Sequence, residues 1–587
     1  MFKRANKITA LLVAAASVMS VVPAMASDRL GTKDGTVENA VAYKDGKYVY
    51  QGYRTDDDDA AIYYNAGDKD KLLEDVEDAN LGGNANYSLA YEDKYATAED
   101  GSDEYLIDLS SGDVVDDDTA EDKADSAETK LKSALKKTDR YDDSIVINAG
   151  DVTQIQSGAK FGDVWYKYEI APSAHQDNSI GSLTGPGTLI GFTNQTGKYI
   201  DASNLANIYA YSTAKGKMVK VEEYNDYNSD TKLEAELVSL DVLTQDADYI
   251  YALATVNVND SANTTLATGT TSSSVTLGTA GITTGTTTKH YYVQKISKAQ
   301  GDKKDDAYLP KTVASYEVNV GEILDSDDAT DAADVLVGAT NTTYAVVGSQ
   351  LLAIHNDATA TASGNVKVTS INLKKDKVEY KVASAPTGKV DVYLAEKDDA
   401  DDVDIDNVKA VDTDVDGNVW AVADGKIYEF KNNEFTKVYS VDSSLDALSI
   451  YDENSLITWE VDGDIYTTVN EGKAQTETEA APVAPAKVGW DQLADGTWNF
   501  YDATGTKVAN NWVNVGGAWY YLKADGVMAT GWLNSNGTWY FLKASGAMAT
   551  GWLNDNGTWY FLNASGAMLA NTTVDGYVLG ASGAWVK

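Results

Sequence analysis

Short alternating runs of apolar and polar residues, broken by Gly, Asn and Asp, make up most of this chain. Alternation with a period of two puts one set of side chains on each face of a strand, so the runs predict half-buried strands rather than helices. Trp420-Ala-Val-Ala-Asp-Gly425-Lys-Ile-Tyr428-Glu-Phe reads as strand, turn and strand, and Trp459-Glu-Val-Asp-Gly463-Asp-Ile-Tyr466 echoes it. Two earlier copies start at Tyr344 and Tyr380, so the anchoring aromatics stand 36, 40 and 39 residues apart; weaker echoes begin at Tyr43, Tyr95, Tyr209 and Tyr251. Hairpins recurring at about 40 residues predict a β-propeller of about seven or eight irregular blades over residues 27–470. A row of β-sandwiches is the alternative.

Three stretches interrupt the pattern. Over 120–137, Leu131, Ala134 and Leu135 fall on one side and Glu128 precedes Lys132 by four, which predicts a short surface helix. Ser261 to Thr288 is nearly all Thr, Ser, Gly and Ala, a low-complexity insertion between two strands. Residues 471–487, with Pro482 and Pro485, read as an extended linker.

The period shortens to 20 in residues 488–587. Trp512, Trp532 and Trp552 are spaced by 20, as are Trp519, Trp539 and Trp559, and Met528, Met548 and Met568. The units at Trp532 and Trp552 set an Asn-Gly pair, Asn536-Gly537 and Asn556-Gly557, between two short apolar runs, a strong hairpin signal. Units this small cannot bury their own apolar faces, so they stack into a solenoid with one continuous core. Trp539 and Phe541 share one strand face and Tyr540 and Leu542 the other, which suggests that one face closes the core while the other meets a ligand. The expected architecture is therefore all-β, an irregular propeller followed by a hairpin solenoid.

The unit Thr-Gly-Trp-Leu-Asn, Asn-Gly-Thr-Trp-Tyr-Phe-Leu, Ala-Ser-Gly-Ala-Met-Ala resembles the choline-binding, cell-wall-binding repeat of Gram-positive bacteria and its clostridial relatives. That resemblance implies grooves between hairpins in which aromatic cages hold the choline of wall teichoic acid. It implies one cage of Trp512, Trp519 and Met528 with Trp532, and a second of Trp532, Trp539 and Met548 with Trp552, Trp532 being shared. Trp552 and Trp559 begin a third, left open because Thr572 stands where the next Trp belongs, and the unit at Trp490 and Trp498 is expected to cap the stack. Ring faces suit a quaternary ammonium, which has no hydrogen to donate and is held by cation–π attraction worth about 0.5–2 kcal/mol per contact. Similar repeats in large clostridial toxins bind carbohydrate, and rings stack on sugars too, so a wall or host glycan is the competing ligand. In the body, Asp416-Gly417-Asn418-Val419-Trp420 resembles the opening of a bacterial sensor-type propeller blade.

Met1 to Ala26 has a basic start at Lys3, Arg4 and Lys7, an apolar run and a small-residue cleavage site, and so predicts a removed secretory signal. No later stretch is long and apolar enough for a membrane helix. The chain has no Cys, and its net charge is −43. The module from 490 onward holds six Asp against four Lys, so nearly all of that charge lies in the body. This argues against nucleic acid, whose phosphates require Lys and Arg, and against anionic lipid.

Catalytic signals are sparse. Three His, at 175, 290 and 355, lie far apart, which makes a Cys-His peptidase or His-rich zinc centre improbable. Paired carboxylates could serve glycoside hydrolysis, but 90 acidic residues single out no pair. Asp412, Asp414 and Asp416, before Gly417, have the alternate spacing of a Ca²⁺ loop without the closing bidentate Glu. A plain Asp-Gly turn explains the same residues, and no cofactor is otherwise called for. The expectation is a secreted, non-enzymatic surface protein that displays an acidic body for adhesion, coat formation or partner binding, with a wall hydrolase or a glycan-binding toxin-like protein as alternatives.

Overall fold

The computed structural model describes residues 30–53, 60–67, 69–141, 147, 151–170, 189–262, 286–320, 324–379, 389–470, 473–474, 489–493, 497–502, 507–535 and 537–586. The signal segment, most of the Thr-Ser insertion, most of the linker and His175 lie outside them. The chain divides into two compact units, Met1–Glu477 and Thr478–Lys587, the boundary falling inside the interval expected as linker.

The body is built from antiparallel meanders in chain order. The first runs Thr36–Tyr43, Lys47–Tyr53, Ala61–Asn65 and Asp70–Leu72, and the second is centred on the Tyr95–Asp100/Asp103–Asp108 hairpin. A third comprises Val152–Gln154, Trp165–Ile170, Leu189–Asn194 and Tyr199–Asp201. An eight-stranded sheet follows, whose two antiparallel halves (233–318 and 342–405) meet edge to edge through a parallel pairing at Glu317 and Leu394. The next meander spans Val411–Thr413 to Glu434–Ser440. In the last one, Ala447–Asp452, Ser455–Trp459 and Ile465–Asn470 are joined by Lys33–Asp34 from the start of the chain, Lys33 opposite Tyr466.

Apolar packing links these units in a circuit. Val49 and Ile62 pack with Ile107 between the first and second meanders, and Tyr91 with Tyr166 between the second and third. Phe192 meets Ala252 and Tyr292 of the eight-stranded sheet, Leu253 and Val293 meet Leu351 and Ile371 of its second half, and Val368 joins Trp420, Ile427 and Ile450. Trp459 then returns to Tyr48 and Tyr50 of the first meander. A closed ring sealed by a strand from the opposite terminus removes the exposed sheet edge. One cavity of about 710 Å³ draws its lining from nearly every member of the ring, including Asn39, Tyr87, Gln156, Gln245, Asp412 and Ser449.

Two departures from the sequence expectation are instructive. Tyr380 itself lies outside the described residues, but Gly364–Glu379 before it and Lys389–Ile405 after it are single long strands paired along most of their length. The ~40-residue spacing thus marks hairpins rather than whole blades. The expected helix is present at Ala120–Leu135, started by a capping box of Thr119 and Asp122. It is more than a surface feature, because Leu131 and Leu135 pack on Tyr168 and Ile170 while Ala120 and Ala127 pack on Tyr91 and Tyr166. A second helix, Asp327–Leu336, with Ser326 as N-cap and Ala329, Ala332, Ala333 and Leu336 buried, was not expected. Among the described residues, no helix is long and apolar enough to cross a membrane.

Candidate ligand grooves of the C-terminal module

Among the described residues of the second unit are four hairpins and a terminal three-stranded sheet: Gly489–Gln492/Trp498–Tyr501, Asn511–Val515/Ala518–Leu522, Gly531–Ser535/Thr538–Leu542, Gly551–Asp555/Thr558–Leu562, then Thr572–Val574, Tyr577–Leu579 and Trp585–Val586. The turns are of the type the sequence requires. Asn556 and Gly557 both have positive φ, 47° and 89°, matching the twist of the flanking strands.

Register sets which side chains share a face. Trp532 is opposite Phe541 and Asn534 opposite Trp539, so the two Trp lie on one face, while Leu533 pairs with Tyr540 on the other. The same holds one repeat on, with Trp552 and Trp559 against Tyr560. The hairpins are stacked by backbone bonds from each Met to the Trp carbonyl of an earlier hairpin: Met528 N–H to Trp498, Met548 to Trp519 and Met568 to Trp539, at 2.7–2.8 Å. The shared core is thin, with Leu522, Leu542, Leu562, Ala529 and Ala549 buried.

Each groove is consequently lined from two repeats, the Trp pair of one facing the Tyr of the next. Trp532 meets Trp539 at 6.4 Å and Tyr560 at 4.8 Å between ring centroids, all edge to face. Trp552 meets Trp559 at 6.5 Å and Tyr577 at 5.3 Å, and Trp512 meets Tyr540 at 5.0 Å. Trp490 does the same with Trp498 and Tyr520, at 6.5 and 4.8 Å. The outer rings stay accessible: Trp519, Trp539 and Trp559 are 40–45% exposed, far more than a packed core tolerates.

This grouping differs from the expected one in four respects. Both hairpin faces line grooves, so the division into a core face and a ligand face fails. Trp532 belongs to one groove rather than two, because the ring closing the Trp512 groove is Tyr540. Each Met lies one groove earlier than expected, Met548 with Trp519 and Met568 with Trp539. The unit at Trp490 is no mere cap, and Thr572 does not spoil the last groove, since that position asks for Tyr577. The missed tyrosines carry the same 20-residue period as the tryptophans, which is the signal that marks them.

The body's sequence candidates behave otherwise. Asp414 accepts from the backbone of Asp416 and Asn418 and from Trp420 Nε1 at 2.8–3.0 Å, which is a self-closed Asp-Gly turn. Asp412 pairs with Lys160 and accepts from Ile450 N–H, and burial pushes its carboxyl up from the ordinary value against the pull of that lysine. The three carboxylates do not converge, and no group of three or more potential metal-ligating side chains occurs among the described residues. His290 bridges Thr288 and Glu317 within the sheet, and His355 bonds Thr340 O.

A stack of β-hairpins with aromatic grooves at each junction is the architecture of a repeat-based ligand-binding module. Residues 508–550 and 529–572 match the choline-binding repeat family. The choline-binding domain of Spr1274 from Streptococcus pneumoniae is similar at 41% identity over 14% of this chain and 96% of that domain, with a TM-score of 0.13. The pneumococcal cell-wall endolysin of phage Cp-1, solved with choline, is similar at 35% identity over 18% of this chain, with a TM-score of 0.14; the match spans 30% of that endolysin's length. The choline-binding domain of CbpL from S. pneumoniae shows 31% identity over 17% of this chain and 65% of that domain, with a TM-score of 0.13. No curated protein matches the chain.

Proposed function

We propose that this is a secreted surface protein of a Gram-positive bacterium, held non-covalently to choline-bearing wall teichoic acid by its C-terminal grooves and displaying its acidic propeller for adhesion, coat formation or partner recognition. The observation that carries this reading is the recurrent trio of two indoles and one phenol, with the outer indole exposed. Three ring faces around one point suit a trimethylammonium group, which gains cation–π attraction and loses little hydration. Several such grooves acting on one polymer multiply weak contacts into firm retention. The test is retention of the full chain on choline-bearing walls and its release by free choline; retention that choline does not reverse, but a soluble wall or host glycan does, would transfer the grooves to carbohydrate.

The body is read as non-enzymatic because His290, His355 and its best-buried carboxylates are engaged in structural bonds, Asp201 with Arg140, Tyr141 and Ser203 among them. One feature favours the alternative of a wall hydrolase: Glu234 and Glu236, two residues apart on a strand and hence on one face, have carboxyls that burial pushes up. Purified protein that clears wall fragments, and loses this on Glu236→Gln, would establish that alternative.

A further inference from the structure

The grooves are alike in their rings but not in their walls. At the strand position opposite the first residue of the partner strand, successive hairpins carry Val515, Ser535 and Asp555, paired with Ala518, Thr538 and Thr558. This position looks back toward the preceding repeat, and the structure shows it doing so: Asp555 Oδ2 accepts from Trp532 Nε1 at 2.9 Å, while Oδ1 accepts from Asn556 Nδ2 at 3.1 Å. One groove alone of these three, that of Trp532, Trp539 and Tyr560, thus has a carboxylate bonded to the edge of its inner ring. The equivalent wall is a hydroxyl at the Trp512 groove and an isopropyl group at the Trp490 groove.

We infer that Asp555 makes the Trp532 groove the charge-selective member of the series, favouring a quaternary ammonium over an uncharged ligand of the same shape. This rests on the proposed reading of the grooves as cation cages. A cation on the ring faces would sit roughly 5–7 Å from the carboxylate, where partial screening by water leaves an attraction equal to about a three- to tenfold change in affinity. The indole contributes as well, since donating its N–H to an anion makes the ring richer in electrons and its face more attractive to a cation. Neither effect acts on a neutral ligand, whose binding depends on apolar contact alone.

The experiment uses the full chain and two probes of equal shape, choline and its uncharged carbon isostere 3,3-dimethylbutan-1-ol, followed through the indole N–H resonances so that each groove reports separately. Asp555→Asn keeps an acceptor for Trp532 and so preserves the wall. It is expected to weaken choline at Trp532 and Trp539 about three- to tenfold, to leave the isostere unchanged, and to lose this difference in high salt. Ser535→Asp is expected to confer the same preference on the Trp512 groove. Equal weakening of both probes would overturn the inference and make Asp555 a positioning residue; no change for either would overturn it outright. If neither probe shifts any wild-type resonance, the cage reading itself fails, an outcome distinguishable from a failure of charge selection alone.

Discussion

Substituting Gly546 by Ala tests how the solenoid is held together. Gly546 has φ +80°, and a Cβ placed there would come within 2.2 Å of Met528 Sδ, 2.7 Å of Cε and 2.9 Å of Cγ. Two costs follow: the left-handed backbone, about 1–2 kcal/mol for any residue with a Cβ, and displacement of a methionine wedged under the turn, about 1–3 kcal/mol. Gly531 separates them, because it has φ +77° and nothing within 4 Å of an added Cβ. Gly531→Ala should therefore lose only the first quantity, and Gly546→Ala about 2–5 kcal/mol. Urea denaturation of the full chain followed by Trp fluorescence reads this directly, since nine of the 12 Trp lie in the module. Met528→Ala should cancel most of the excess in the double variant, a coupling that a double-mutant cycle isolates. Equal losses at Gly531 and Gly546, or no coupling with Met528, would refute the wedge.

Other outcomes follow from the body and the grooves. Arg140→Ala leaves Asp201, fully buried, without its cation and should destabilise the body by about 3–5 kcal/mol in thermal denaturation. Burial pushes the Lys298 ammonium down to about 8 from its ordinary 10.5. Because the folded pKa is the lower one, the charged amine opposes folding below pH 8 and the cost fades as pH rises to 10.5. Lys298→Met should accordingly stabilise the body at pH 7, by about 1–3 kcal/mol less the bond to Asp246 O, with the advantage shrinking between pH 8 and 10.5 in melting curves. Trp498→Ala and Trp552→Ala should weaken choline-dependent wall retention by similar factors, since each removes one ring from one groove; a much larger loss for Trp552 would restore a shared cage.

The hairpins were legible because they are specified locally: an Asn-Gly pair such as Asn556-Gly557 fixes the turn, and alternation fixes the faces. The grooves were legible in their ingredients but not in their grouping. Which Tyr meets which Trp depends on the offset between stacked repeats, and that offset is set by backbone bonds such as Met548 to Trp519, across 29 residues, which no local pattern records. In the body, ring closure could be anticipated from repetition, whereas the fusion of two units into one sheet rests on a parallel pairing of Glu317 with Leu394, far apart in sequence. The helix at Asp327–Leu336 is not marked by the sequence pattern because its buried face is mostly Ala, which supplies little apolar contrast in an acidic segment. The alternate aspartates misdirect in the opposite sense, since the spacing that suggests a Ca²⁺ loop serves equally to fold a turn around Asp414.

The most direct test of the account is binding of the full chain to two wall preparations that differ only in whether their teichoic acid carries choline, with free choline as competitor. The account predicts retention on the choline-bearing wall alone and release as free choline fills the grooves. Equal retention on both walls, unaffected by choline, would contradict it.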